Sequence, residues 1–167
     1  MNVHGIAETP SEHVRFAAYL DMLRHVREPD EVALVARVLA DQDRTMARSA
    51  VLRHLDLRAA DLCDGPAYPH WARAMAEAVS GHPFLVQRLR EWTLLRAVAL
   101  DQPWQEDDLL ASSDWLQLKV AAGSHARAIE LLAERGRTQR IRNAARAGLS
   151  GGRPSRPRRS SRRPTRP

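Results

Sequence analysis

From Phe16 onward apolar side chains recur at intervals of three and four, the period of an α-helix, and no window alternates apolar with polar residues as a half-buried strand would. The stripe Phe16, Leu20, Leu23 and Arg27, joined by Tyr19 and Val26, predicts a first helix from about Thr9 to Arg27. Thr9-Pro10-Ser11-Glu12 suits its start: a capping threonine, a proline in the first position, and a glutamate able to return a hydrogen bond. Glu28-Pro29-Asp30 is read as the break, because proline disfavours helix in its predecessor. Val32, Val35, Val38 and Leu39 mark a helix over Asp30–Ala40, and Ala47, Ala50, Val51 and Leu55 mark another over Arg44–Leu62.

Asp64-Gly65-Pro66 reads as loop, and Trp71, Met75 and Val79 then place a helix over Pro69–Val79. Leu85, Leu89, Trp92, Leu95 and Ala99 carry the next, over Pro83–Leu100. Pro103 is expected to open a short acidic helix through Ala111, and Ser112 or Ser113 to cap one over Asp114–Ala122. Gly123-Ser124 begins a helix ending at Gly136, and a last helix over Thr138–Ala147 turns Ile141, Ala144, Ala145 and Leu149 inward. The expected fold class is therefore all-α, with helices joined by links short enough to make neighbours antiparallel. The expected organisation is a loose start over 1–8, one helical domain over 9–149, and a disordered tail over 150–167.

Charge changes the picture at the C-terminal end. Met1 to Glu134 holds 14 basic and 20 acidic residues, whereas Arg135 to Pro167 holds 12 arginines and no acid. The overall +6 thus averages an acidic body and a strongly basic end. Arg153 to Pro167 contains only Arg, Pro, Ser and Thr, which offer nothing apolar to bury and repel one another. The arginine excess over lysine, 25 to 1, also follows from coding bias alone.

Three stretches resemble the second helix of a HEAT-type repeat. Leu39-Ala40-Asp41-Gln42-Asp43 leads to Met46, Arg48, Ala50 and Leu55. Leu110-Ala111-Ser112-Ser113-Asp114 leads to Leu118, Lys119, Ala121 and Ala122, and Leu132-Ala133-Glu134 leads to Ile141, Arg142, Ala144, Ala145 and Leu149. The resemblance implies an irregular HEAT-like superhelix, with a compact multi-helix bundle as the alternative. It also implies a protein partner, less often a nucleic acid, held on a concave face, and a basic residue answering an aspartate of the preceding turn.

Candidate chemistry is sparse. His4, His13, His25, His54, His70, His82 and His125 match no metal-ligand spacing, and no glycine-rich loop precedes a lysine and a helix to hold phosphate. Cys63, as a single cysteine, fits a reducing, cytoplasmic setting; it is a nucleophile only if exposed, in a pocket with Trp71 and His82. Glu106-Asp107-Asp108 reads as first-turn charge facing a helix dipole. No signal peptide and no membrane span are expected, since the longest apolar runs are about five residues against the roughly 20 a span requires.

Trp71 and Trp92 sit on apolar stripes and are expected in the core. Trp104 and Trp115 lie at helix starts, where they either pack across a turn or anchor a partner. Arg137, Arg140, Arg142 and Arg146 lie on or beside the final helix, followed by Arg153, Arg156, Arg158, Arg159, Arg162, Arg163 and Arg166. Together they are candidates for binding an anionic polymer, and the absence of aromatic residues among them points to contacts independent of base sequence. The sequence reads as a non-catalytic protein-interaction module without cofactor or metal, its tail adding nonspecific electrostatic attraction; the alternative is a sequence-independent nucleic-acid binder.

Overall fold

The computed structural model of the chain describes residues 11–151, and every regular element among them is an α-helix. The Thr9 cap, Pro10 and the arginines from Arg153 to Arg166 lie outside the described residues. The described chain falls into two compact units, one ending at Leu100 and one beginning at Asp101, where the sequence reads as a single helical domain.

The first unit contains α1 (Glu12–His25), α2 (Glu28–Leu39), α3 (Arg44–Leu62), α4 (Tyr68–Ala78) and α5 (Pro83–Ala99). Pro29 lies in the first turn of α2 rather than in a break before it, and the break falls at Val26 and Arg27. A proline there costs nothing, because first-turn N–H groups have no partner within the helix. Asp43 caps α3, its carboxylate accepting from the Met46 N–H at 3.0 Å.

The middle helix of the unit is α3, which packs against α1, α2, α4 and α5. Ala47, Ala50, Val51, Leu55 and Ala59 are all at most 1% exposed, and the small size of the three alanines lets neighbouring helices approach. Trp71, Met75, Val79, Leu85, Leu89 and Trp92 complete this core, as their stripes predict. Two stripes shift: Val32 is exposed while Leu34 is buried, and Val98 is buried where Ala99 faces out.

The second unit contains α6 (Glu106–Ala111), α7 (Asp114–Ala121), α8 (Ala126–Arg135) and α9 (Gln139–Gly151). The acidic helix starts three residues after Pro103, with Glu106, Asp107 and Asp108 forming its first turn. His125, not Gly123-Ser124, starts α8: its Nδ1 accepts from the Ala128 N–H at 3.2 Å. Ser113 takes the N-cap position of α7 without a side-chain capping bond.

Gln117, entirely buried, joins this unit together. Its amide nitrogen donates to the Leu109, Leu110 and Ser112 carbonyls, and its Oε1 accepts from the Arg137 N–H at 2.9 Å. Gly136 ends α8 in extended backbone (φ −54°, ψ 141°). It is a glycine because of crowding: a Cβ would lie 2.5 Å from the Leu132 carbonyl oxygen and 2.7 Å from Ile141 Cγ2. Ile141 and Ala145 point inward as expected; Leu149 is exposed instead, at the far end of α9.

Candidate functional site

Ile141 and Ala145 fix one face of α9 against α7 and α8, so its arginines have only the outward side. Arg140 and Arg146 are exposed, and Arg142 is half-buried. Arg142 donates to the Gly136 carbonyl at 2.6 Å and to Gln139 at 2.9 Å, and Arg146 donates to Asn143 at 3.3 Å. Arg137 lies 3.9 Å from Asp114 and 3.4 Å from the Ala111 carbonyl, at the limits of such contacts. The side chains of Arg140, Arg142 and Arg146 meet no carboxylate among the described residues, so their charge stays available to an anion.

Both sequence-selected tryptophans are half-buried. His125 stands edge-on to the Trp104 ring at 5.7 Å, and the Arg127 guanidinium covers it at 5.6 Å while pairing with Glu106 at 2.7 Å. A polar recess of about 400 Å³ opens there, lined by Asp101, Trp104, His125 and Arg127. The Trp104 face is therefore largely taken by its own neighbours.

Cys63 is buried, and burial together with the Asp64 charge pushes its thiol up, the opposite of an activated nucleophile. The cavity that Trp71 lines contains neither Cys63 nor His82, so the pocket imagined around these three is not formed there. Among the described residues no group of three His, Cys, Asp or Glu side chains could hold a metal ion. No helix among them is long and apolar enough to cross a membrane.

A groove of about 580 Å³ lies between α4 and α5. Ala72, Ala76 and Ser80 recur every fourth residue and form a low floor on one side, and Val86, Leu89 and Thr93 form the other. Arg73 and Arg90 line it as well, both exposed and neither paired with an acid among the described residues. Phe84, at the start of α5, is 60% exposed.

The charged centre of the first unit is absent from the sequence reading. Glu31, 1% exposed, takes a place on the buried stripe of α2 with Leu34, Val35 and Val38. Its Oε1 accepts from His54 Nε2 at 2.7 Å, Trp71 Nε1 at 3.0 Å and Arg58 Nε at 3.2 Å, and its Oε2 accepts from a second Arg58 nitrogen at 3.3 Å. Burial alone pushes a carboxyl up; here the bonds from His54, Trp71 and Arg58 outweigh it and hold Glu31 at about 2. A second bond of this kind runs from Trp92 Nε1 to Asp56 at 2.7 Å. The signal was present in the sequence: Glu31 stands four residues before Val35, and His54 four after Ala50, each at a core position.

Asp41, in the turn before α3, is answered from α1 by the Tyr19 hydroxyl at 2.7 Å and by Arg15 at 3.6 Å, not by Arg48 of the HEAT-like stretch, which is exposed. The Tyr19 bond and the Asp43 backbone N–H draw the Asp41 carboxyl down. Comparison with known protein families, with curated protein sequences and with solved structures finds no match to this chain.

Proposed function

We propose that this protein is a non-catalytic helical interaction module whose α4–α5 groove receives an amphipathic helix with acidic flanks. The observation that supports this reading is the groove itself. Its floor of small side chains lets a second helix lie close, Val86 and Leu89 give an apolar wall, and Arg73 and Arg90 supply charge for carboxylates on the partner. The likeness of three stretches to HEAT-type helices points the same way, towards recognition of a protein by a helical surface. The basic C-terminal end adds long-range attraction that speeds encounter more than it strengthens the final contact.

A photo-crosslinking residue at Ala76, in cells that make the protein natively, tests this against the same residue at the exposed Gln42. A discrete adduct is expected from Ala76 alone, lost when Arg73 and Arg90 are both changed to glutamate. Equal labelling from the two positions, or an adduct indifferent to the charge reversal, would refute the groove.

The outward arginines of α9 favour a second reading, binding of nucleic acid without sequence preference. Each phosphate contact contributes about 0.9 to the slope of log affinity against log salt for duplex DNA. Changing Arg140, Arg142 and Arg146 to alanine in the full chain should therefore reduce that slope by up to about 3, measured by fluorescence anisotropy. An unchanged slope removes α9 from the contact.

A further inference from the structure

We infer that the cleft between α1 and α3 is a binding site for a phosphate-sized oxyanion carried on a short apolar group. The cleft holds about 160 Å³ and brings together Arg24 of α1 with Arg53, Arg58 and His54 of α3. Three arginines line one small space, and their mutual repulsion is offset only in part by the Glu31 carboxylate on Arg58 and by Asp61. Arg24 and Arg53 are exposed and have no hydrogen bond or ion pair among the described residues, so their donors are free for a ligand.

Arg58 is different, and it makes the site more than a loose basic patch. Glu31 grips its Nε and one terminal nitrogen from behind, at 3.2 and 3.3 Å, which fixes the plane of the guanidinium while its remaining N–H groups stay unused by that pair. The same carboxylate accepts a hydrogen bond from His54 Nε2, so the ring is oriented with Nδ1 as its remaining polar atom. Two cleft residues are thus held by a buried acid that cannot itself reach solvent. Against the three arginines stand Glu31 and, at the cleft wall, Asp61, leaving a net positive charge suited to a small anion.

Size and lining define the ligand class. Liquid water takes roughly 30 Å³ per molecule, so the cleft has room for about five waters, close to a phosphate with a few carbons. Leu20, Leu23 and Leu57 line it beside the arginines, with Leu57 54% exposed, and would cover a short alkyl group. The ligand is then an alkyl phosphate or a similar small amphiphilic oxyanion.

The test uses the full chain with nitrogen-15 label, titrated with n-butyl phosphate and with inorganic phosphate at constant ionic strength. The His54 ring and the Arg58 Nε–H are followed by NMR, which separates the cleft from the arginine-rich end. A saturable shift of both resonances is expected, with butyl phosphate binding several-fold tighter than phosphate. Arg53→Ala and Arg24→Ala, which remove no hydrogen bond or ion pair among the described residues, should each weaken binding about tenfold. His54 and Arg58 resonances that stay still while other arginines shift would overturn the proposal. So would affinities within twofold of the parent in both variants, or phosphate binding as tightly as its butyl ester.

Discussion

Replacing Glu31 by glutamine keeps the side chain's shape and one acceptor oxygen but removes its charge, which isolates what the carboxylate contributes. Glutamate ordinarily titrates near 4.5, and Glu31 is held at about 2. At about 1.4 kcal/mol per pH unit, that separation corresponds to on the order of 3 kcal/mol by which the folded chain prefers the ionised group. Glu31 is 1% exposed, so bulk water screens little of this. The folded-state value lies below the unfolded one, so the stabilisation is fully present above about pH 4.5 and is lost as pH falls towards 2. Glutamine resembles the protonated acid. Glu31→Gln should therefore cost on the order of 3 kcal/mol at neutral pH and almost nothing near pH 2. Urea unfolding followed by circular dichroism, with amide exchange in α3 as a local reporter, measures both ends. At neutral pH the midpoint should fall by about 1–3 M. Equal midpoints there, or a gap that persists unchanged down to pH 2, would refute the assignment of a charged, donor-saturated Glu31. Glu31→Ala should cost more than Glu31→Gln, since it leaves Arg58, His54 and Trp71 without their acceptor.

Three further outcomes follow from packing. Gly136→Ala should destabilise the second unit by about 1–3 kcal/mol, read as lost exchange protection in α8 and α9, because backbone at 2.5 Å cannot yield as a side chain does. Gln117→Leu should cost about 1–3 kcal/mol by leaving the Arg137 N–H without its acceptor and removing the amide's bonds to the Leu110 and Ser112 carbonyls, and a stability within about 0.5 kcal/mol of the parent would contradict its role as a joint. Cys63 should react with a thiol reagent only as fast as the first unit opens, so labelling that matches a free thiol in the native state would mean the buried placement is wrong.

Helix content followed from residue order alone, because the features that specify it are local. The stripes of α3, α4 and α5 and the inward Ile141 and Ala145 of α9 follow from intervals of three and four, and the acidic first turn of α6 from Pro103 and the charge that suits a helix start. Helix starts were read less well where capping chemistry was ambiguous, as at Pro29 and His125. The centre of the first unit was decided only in three dimensions. Glu31 meets His54, Arg58 and Trp71 across separations of 23, 27 and 40 residues, and no local pattern pairs them. Periodicity marks which side chains face inward, but it does not say which polar one among them will find partners from other helices. That depends on how α2, α3 and α4 cross, which is set by the summed packing of the whole unit. The same packing opens the α1–α3 cleft and the α4–α5 groove; within the second unit, the burial of Ile141 and Ala145 against α7 and α8 leaves the arginines of α9 on the outside.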